Sequence, residues 1–214
     1  MPLLSLHEFI LVLPALVLIL AYHGYLYQKV RRHPLQTAIG ITNHARQMWV
    51  EGVMQNKRDI LAVQTMRNQV MAASLLASTA ILLSLGSLNS AFRPDMFNEV
   101  SHAFNLYGTQ NEGLWMFKFM LLGILFFLTF FNFSLAIRYY NHVSFMINTN
   151  VLDDPAVSVP AVTHVLNQGA LHYTFGMRGF YLSVPLALWL FGPIWMLGGC
   201  LTLILVLYRL DREA

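Results

Sequence analysis

The chain has 214 residues, 57% of them hydrophobic and 11% charged, with a formal net charge of +3. Soluble domains carry about 25% charged residues, so this composition excludes a surface built to face water on all sides. The pI of about 9.1 does not argue for nucleic-acid binding, because cations gathered in loops beside membrane spans account for it.

In chain order, residues 9–28, 70–92, 119–137 and 179–208 carry no Asp, Glu, Lys or Arg. A hydrocarbon core of about 30 Å needs about 20 helical residues. Barrel strands alternate apolar and polar positions, whereas these runs are apolar on every face. The fold class expected is all-α: an integral membrane bundle of four transmembrane helices with short amphipathic helices in the connections. The spans fall at about 8–28, 62–88, 115–138 and 179–208, within a single domain over residues 1–214.

The first run has no basic residue before it and no small-x-small cleavage pattern, so it does not read as a secretory leader. Lys29, Arg31 and Arg32 follow it, and Arg46, Lys57, Arg58 and Arg67 continue the first connection, while Arg138 and Arg178 flank the third. By the positive-inside rule, connections one and three face the cytoplasm and both termini face out. The expected location is the bacterial inner membrane. Cys200 is the single cysteine, so no internal disulfide forms.

In the first connection, TNHARQMWVEGVM places Ala45, Met48, Trp49, Gly52 and Val53 on one helical side, with Thr42 as a candidate cap. That face suits either the headgroups or the bundle. Asp59 is a candidate cap for the second span. Small residues four apart in that span (Ala73/Ala77, Ser74/Ser78, Ala80/Ser84) allow close helix approach, which predicts the second span at the bundle centre and as a docking face. The phenylalanine-rich third span is expected to meet lipid, with Asn132 forming an interhelical hydrogen bond. RPDMFNEVSHAFNLYG predicts a helix opening at Pro94–Asp95, with Met96, Phe97, Val100 and Phe104 as its apolar side. Asp153–Asp154 read as a turn, and Ser158 with Pro160 as a helix start. Pro185 and Pro193 predict a kink or break near Gly192–Pro193.

Three stretches carry a resemblance: DILAVQTMRN with MAASLLASTAILL, FNFSLAIRYYNHVSFMI, and MRGFYLSVPLALWLFGPIWM. Together they resemble an uncharacterised family of small membrane proteins found in bacteria and plants, classed as a domain of unknown function, over about residues 36–212. The resemblance implies an integral membrane protein and carries no catalytic residues.

On a helix, Gln64, Arg67 and Asn68 share a stripe with Met71, Leu75 and Ser78. Arg138, Asn141 and His142 end the third span on the same side, and Arg178 opens the fourth. These residues form the candidate binding site: Gln64, Arg67, Asn68, Arg138, Asn141, His142 and Arg178. Guanidinium groups converging at one depth would form a collar for an anion, since they fork onto oxyanions. The competing explanation is topology-setting arginines that snorkel to headgroups.

The histidines show no HxxxH or HxH pair, and no nucleophile, phosphate-loop or paired-carboxylate motif is present. A haem held by His23 has no motif behind it. No cofactor, no metal and no enzymatic activity are expected. The leading expectation is a homo-oligomer with a channel- or transport-like role for a small anionic solute, the second span lining the axis. The alternative is a scaffold or accessory subunit binding anionic phospholipid or a partner protein. The bilayer is the expected partner, and nucleic acid is not.

Overall fold

A computed structural model describes residues 6–56, 59–93, 112–149 and 155–212. The described elements are α1 (Leu6–Arg32), α2 (Ala38–Asn56), α3 (Asp59–Ala91), α4 (Glu112–Met146), α5 (Val159–Leu188) and α6 (Pro193–Arg212), with 3₁₀ turns at Pro34–Gln36, Pro155–Val157 and Trp189–Phe191. No strand occurs among the described residues. Four helices are long and apolar enough to cross a membrane, with spans Ile10–Arg32, Ile60–Ala91, Glu112–Met146 and Pro193–Arg212.

The helices pack in a row, α3 on α4, α4 on α5, α5 on α6 and α6 on α1, while α2 lies chiefly against α5. Neighbours in the order α3–α4–α5–α6 run antiparallel: Ser84 on α3 donates to the Gly123 carbonyl on α4 at 2.8 Å, and Gly176 on α5 sits under the Phe133 ring of α4. The expected position of α3 at the bundle centre is therefore incorrect. Ala73, Ala77, Ala80 and Ser84 are buried, but against α4, so this small-residue face is used within the chain. The expectation that the Phe-rich helix chiefly meets lipid also changes, because α4 lies between α3 and α5 with Phe126 and Phe133 buried. Phe127 and Phe131 remain on its outer side.

Close packing of α4 on α5 follows from glycines on one side of α5. A Cβ added at Gly179 would lie 2.0 Å from Thr129 Oγ1, so only a hydrogen at that position lets the two backbones meet. Small residues serve this role wherever lipid supplies no hydrophobic drive between helices.

The expected fourth span, 179–208, is two helices. The helix yields to the 3₁₀ turn Trp189–Phe191, and Gly192 follows at φ 135°, a conformation open to glycine and strained for other residues. Pro193 then starts α6 with its φ already suited to a helix. The expected break near Gly192–Pro193 is present as a full reversal, and α6 runs back along α5, with Gly199 against Pro185. The end of α6 thus lies near Lys29, which shares a small cavity with Arg212. The starts of α1 and the end of α6 accordingly lie at opposite ends of the bundle, not on one side as expected from a single fourth span.

At the other end, Val50, Val53 and Met54 of α2 join Ala62, Tyr140, Val143 and Val162 in one buried cluster. Of the two settings open to α2, it packs on the bundle. Its start is held by Thr37, whose Oγ1 accepts from the Gly40 N–H at 3.2 Å. Thr42, the expected cap, lies inside the helix and donates to the Ala38 carbonyl at 2.7 Å. Ser158 occupies the N-cap of α5 with proline in the first turn, as its sequence indicates. The cap proposed for the Asp59 side chain, the Pro94–Phe104 helix and the Asp153–Asp154 turn lie outside the described residues.

Candidate functional site in the apolar bundle

The polar stripe on α3 exists, and it faces outward. Gln64, Arg67, Asn68, Met71, Leu75 and Ser78 are all exposed, because Ala62, Met66, Ala73 and Ala77 occupy the inner face. Arg138, Asn141 and His142 are likewise exposed at the end of α4. Arg178 alone among the candidate residues is buried. The collar facing the bundle axis is therefore not formed.

Depth separates Arg178 from the others as well. Gly169 of α5 packs on Tyr140, Gly176 on Phe133 and Gly179 on Thr129. Arg178 thus stands beside the 129–133 turn of α4, roughly 10 Å along the bundle from Arg138 at a helical rise of ~1.5 Å per residue. That position is level with the interior of the charge-free runs of α1 and α4, beside Tyr22 and Thr129, and with the end of the run 179–208, which Arg178 and Asp211 flank.

Its surroundings there come from three helices. Arg178 Nη2 on α5 donates to both carboxylate oxygens of Asp211 on α6, at 2.7 and 2.8 Å. Tyr22 on α1 donates its hydroxyl to Asp211 Oδ2 at 2.5 Å. His23 Nδ1 lies 2.8 Å from the Ile19 carbonyl and so carries the ring hydrogen. Its Nε2 then faces Arg178 Nη1 at 3.3 Å as an acceptor. The Asp211 carboxylate compensates the guanidinium's charge, which a buried ion requires.

A second buried pair marks the opposite end of α6. Lys118 Nζ on α4 lies 3.4 Å from Glu8 Oε1 on α1 and donates to the Trp189 carbonyl at 3.0 Å. The ammonium also sits 5.0 Å from the Trp189 ring centroid. It thus fastens the turn between α5 and α6, where a cation meets free helix-terminal carbonyls favourably. Asn132 behaves as its sequence suggests: its Oδ1 meets His172 Nδ1 of α5 at 3.1 Å.

A family model described as "Protein of unknown function, DUF599" matches residues 10–214. The chain belongs to this family. No curated protein and no solved structure matches it. Membership in the DUF599 family agrees with the resemblance read from the sequence and brings no assigned site residues.

Asp211, Glu8 and Lys118 were missed as site residues because each reads as a flank of an apolar run, and Tyr22 and His23 because they lie inside one with no motif around them. A signal was available. Glu8 directly borders one charge-free run and Asp211 lies three residues beyond another, and a carboxylate at such a place calls for a cation from another helix. Among the described residues no group of His, Cys, Asp and Glu could hold a metal ion.

A small cavity reaches the Asp211 site. A cavity of about 10 Å³ lies beside Asp211 between α1 and α6, with Tyr25, Lys29 and Arg212 in its lining. That volume approximates one water-sized probe, enough for a proton carrier and too small for a larger anion without helix movement.

Proposed function

We infer that the protein is a non-catalytic membrane protein with a transport-like role, carrying a small anion together with a proton at Arg178 and Asp211. The observation that carries this is a guanidinium–carboxylate pair, Arg178 buried and Asp211 part-buried, beside the apolar runs of α1 and α4, with side-chain exposures of 10% and 14%. Desolvating such ions costs several kcal/mol each, and well-packed apolar residues often serve stability as well or better. Ionisable groups at this depth characteristically mark ion and proton routes.

The chemistry follows from charge balance. A proton arriving at Asp211 neutralises the carboxylate and weakens its hold on Arg178. The freed guanidinium then binds the oxyanion of the solute, so the site keeps the same net charge while one proton and one anion enter. Loss of the proton restores the Arg178–Asp211 pair and expels the anion. Tyr22 keeps the Asp211 carboxyl oriented, and His23 holds Arg178 when the carboxylate lets go.

The end of the bundle bearing α2 is taken as cytoplasmic, in a bacterial inner membrane. Lys29, Arg31, Arg32, Arg46, Arg67 and Arg138 gather there, and the reversal at Gly192 brings Arg209 and Arg212 to the same end. Both then add to the positive charge at that end. The exposed polar stripe on α3 supports a homo-oligomer in which another copy covers Gln64, Arg67 and Asn68, since boundary polar groups tend to face protein or water.

Reconstitution in sealed vesicles tests the inference. Proton uptake driven by an imposed chloride, phosphate or carboxylate gradient is expected, and Asp211→Asn is expected to abolish it while the protein stays folded.

A further inference from the structure

A cleft of about 490 Å³ opens between α2, α3 and α5, with Tyr140 of α4 in its lining. It is separate from Arg178: its walls include Arg46 and Trp49 of α2, Gln69 of α3 and Tyr173 of α5. This volume is in the range of small-molecule sites, about 300–1,000 Å³.

The lining is divided by chemistry. Arg46 is half-buried. Its Nε donates to Asn167 Oδ1 at 2.9 Å, and its Nη2 donates to Asn43 Oδ1. Both partners are neutral amides, and among the described residues no carboxylate pairs with this guanidinium. The two amides fix its plane while leaving its full charge uncompensated. Burial lowers the guanidinium's pKa from its ordinary value, with Tyr140 opposing the shift; the group stays protonated, and an oxyanion brought beside it would offset the cost of that burial. Away from Arg46, Met66, Leu166, Ala170 and the tyrosine rings make an apolar wall.

Depth narrows the ligand further. Tyr140 lies two residues beyond Arg138, and Gln69 immediately precedes the charge-free run 70–92. The cleft therefore straddles the boundary between the apolar runs and the basic end of the bundle. A molecule placed there meets a cation at the headgroup level and apolar walls toward the bilayer. Trp49 and the tyrosines suit that level, being apolar bodies with polar tips.

We propose that this cleft binds an anionic amphiphile, its oxyanion on Arg46 and its apolar part between Tyr140, Tyr173 and Met66. A phospholipid of the surrounding membrane and a soluble acyl carboxylate share this chemistry.

The test uses the full chain in nanodiscs and in detergent, read by native mass spectrometry. In nanodiscs of mixed phosphatidylglycerol and phosphatidylcholine, one phosphatidylglycerol per chain is expected to be retained at least ten-fold over phosphatidylcholine. In detergent, dodecanoate competing for the same position would identify the soluble source, and its failure to compete would identify the membrane lipid. Arg46→Gln is expected to reduce retention about ten-fold, Arg46→Lys less, and Ala170→Trp, which fills the cleft, to abolish it. Thermal unfolding confirms that each variant is folded; if Arg46→Gln does not fold, Arg46→Lys and Ala170→Trp carry the test. Equal retention of both lipids without dodecanoate binding, or retention unchanged in Arg46→Lys and Ala170→Trp, overturns the proposal. Inorganic phosphate binding as well as either amphiphile overturns it too, since the apolar wall would then have no role.

Discussion

Arg178 and Asp211, separated by 33 residues in the chain, are joined through Nη2 to both carboxylate oxygens at 2.7 and 2.8 Å. The contact closes the α5–α6 hairpin at the end away from its turn and, through Tyr22, ties α1 to both helices. Removing one partner leaves a buried charge, at a cost of about 3–5 kcal/mol. Arg178→Met alone and Asp211→Leu alone should each lower the unfolding midpoint in detergent strongly, and the double variant should recover most of the loss. The double-mutant cycle measures this by thermal unfolding.

Glu8 and Lys118 make the second buried pair, at the turn end of the hairpin. Lys118→Met should destabilise by about 3 kcal/mol, again the cost of stranding a buried ion. Its effect on anion-linked proton movement per folded molecule should be less than two-fold. Comparing unfolding with vesicle flux for the same preparation separates a fastening pair from a working one.

Gly179 lets α4 and α5 meet at Thr129. Gly179→Ala places a methyl 2.0 Å from Thr129 Oγ1, an overpacking that costs about 1–3 kcal/mol. Thr129→Ala removes the hydroxyl, so the double variant should regain at least half of the lost stability in the same unfolding assay.

The C-terminal end of α6 shares a cavity with Lys29, which places Arg209 and Arg212 at the basic end. A reporter fused after residue 214 should therefore be active in the cytoplasm, and one fused before α1 should be active outside. Paired alkaline phosphatase and fluorescent-protein fusions read this directly.

Asn68 lies on the exposed polar stripe of α3, and the native Cys200 is buried. Asn68→Cys in native membranes should form a disulfide-linked dimer on oxidation, whereas Ala73→Cys, buried against α4, should not. Gel mobility with and without reductant checks both.

The apolar helices, the break at Gly192–Pro193 and the start of α5 were legible because each depends on local chemistry, and the Asn132 contact because an amide amid phenylalanines needs a partner on another helix. The hairpin was not. A run of 30 apolar residues at 179–208 reads as one long span, although about 20 suffice, and only the φ of 135° at Gly192 turns it back. On α3 the polar stripe suggested an inward face, yet Ala73, Ala77 and Ala80 decided the matter. In an apolar solvent, close backbone approach outweighs the placement of exposed amides near the boundary. Arg178 was identified and its partner was not, because Asp211 reaches it only once α6 has folded back along α5.

Flux in sealed vesicles tests the role of Arg178 and Asp211 most directly. With purified protein, an inward gradient of a small anion and a pH-sensitive dye inside, acidification should exceed that of empty vesicles at least ten-fold. Asp211→Asn, folded by thermal unfolding, should return it to the empty-vesicle rate. Acidification by the native protein no faster than in empty vesicles, or an Asp211→Asn rate equal to the native one, would contradict a coupled proton–anion site and leave the pair as a structural clasp.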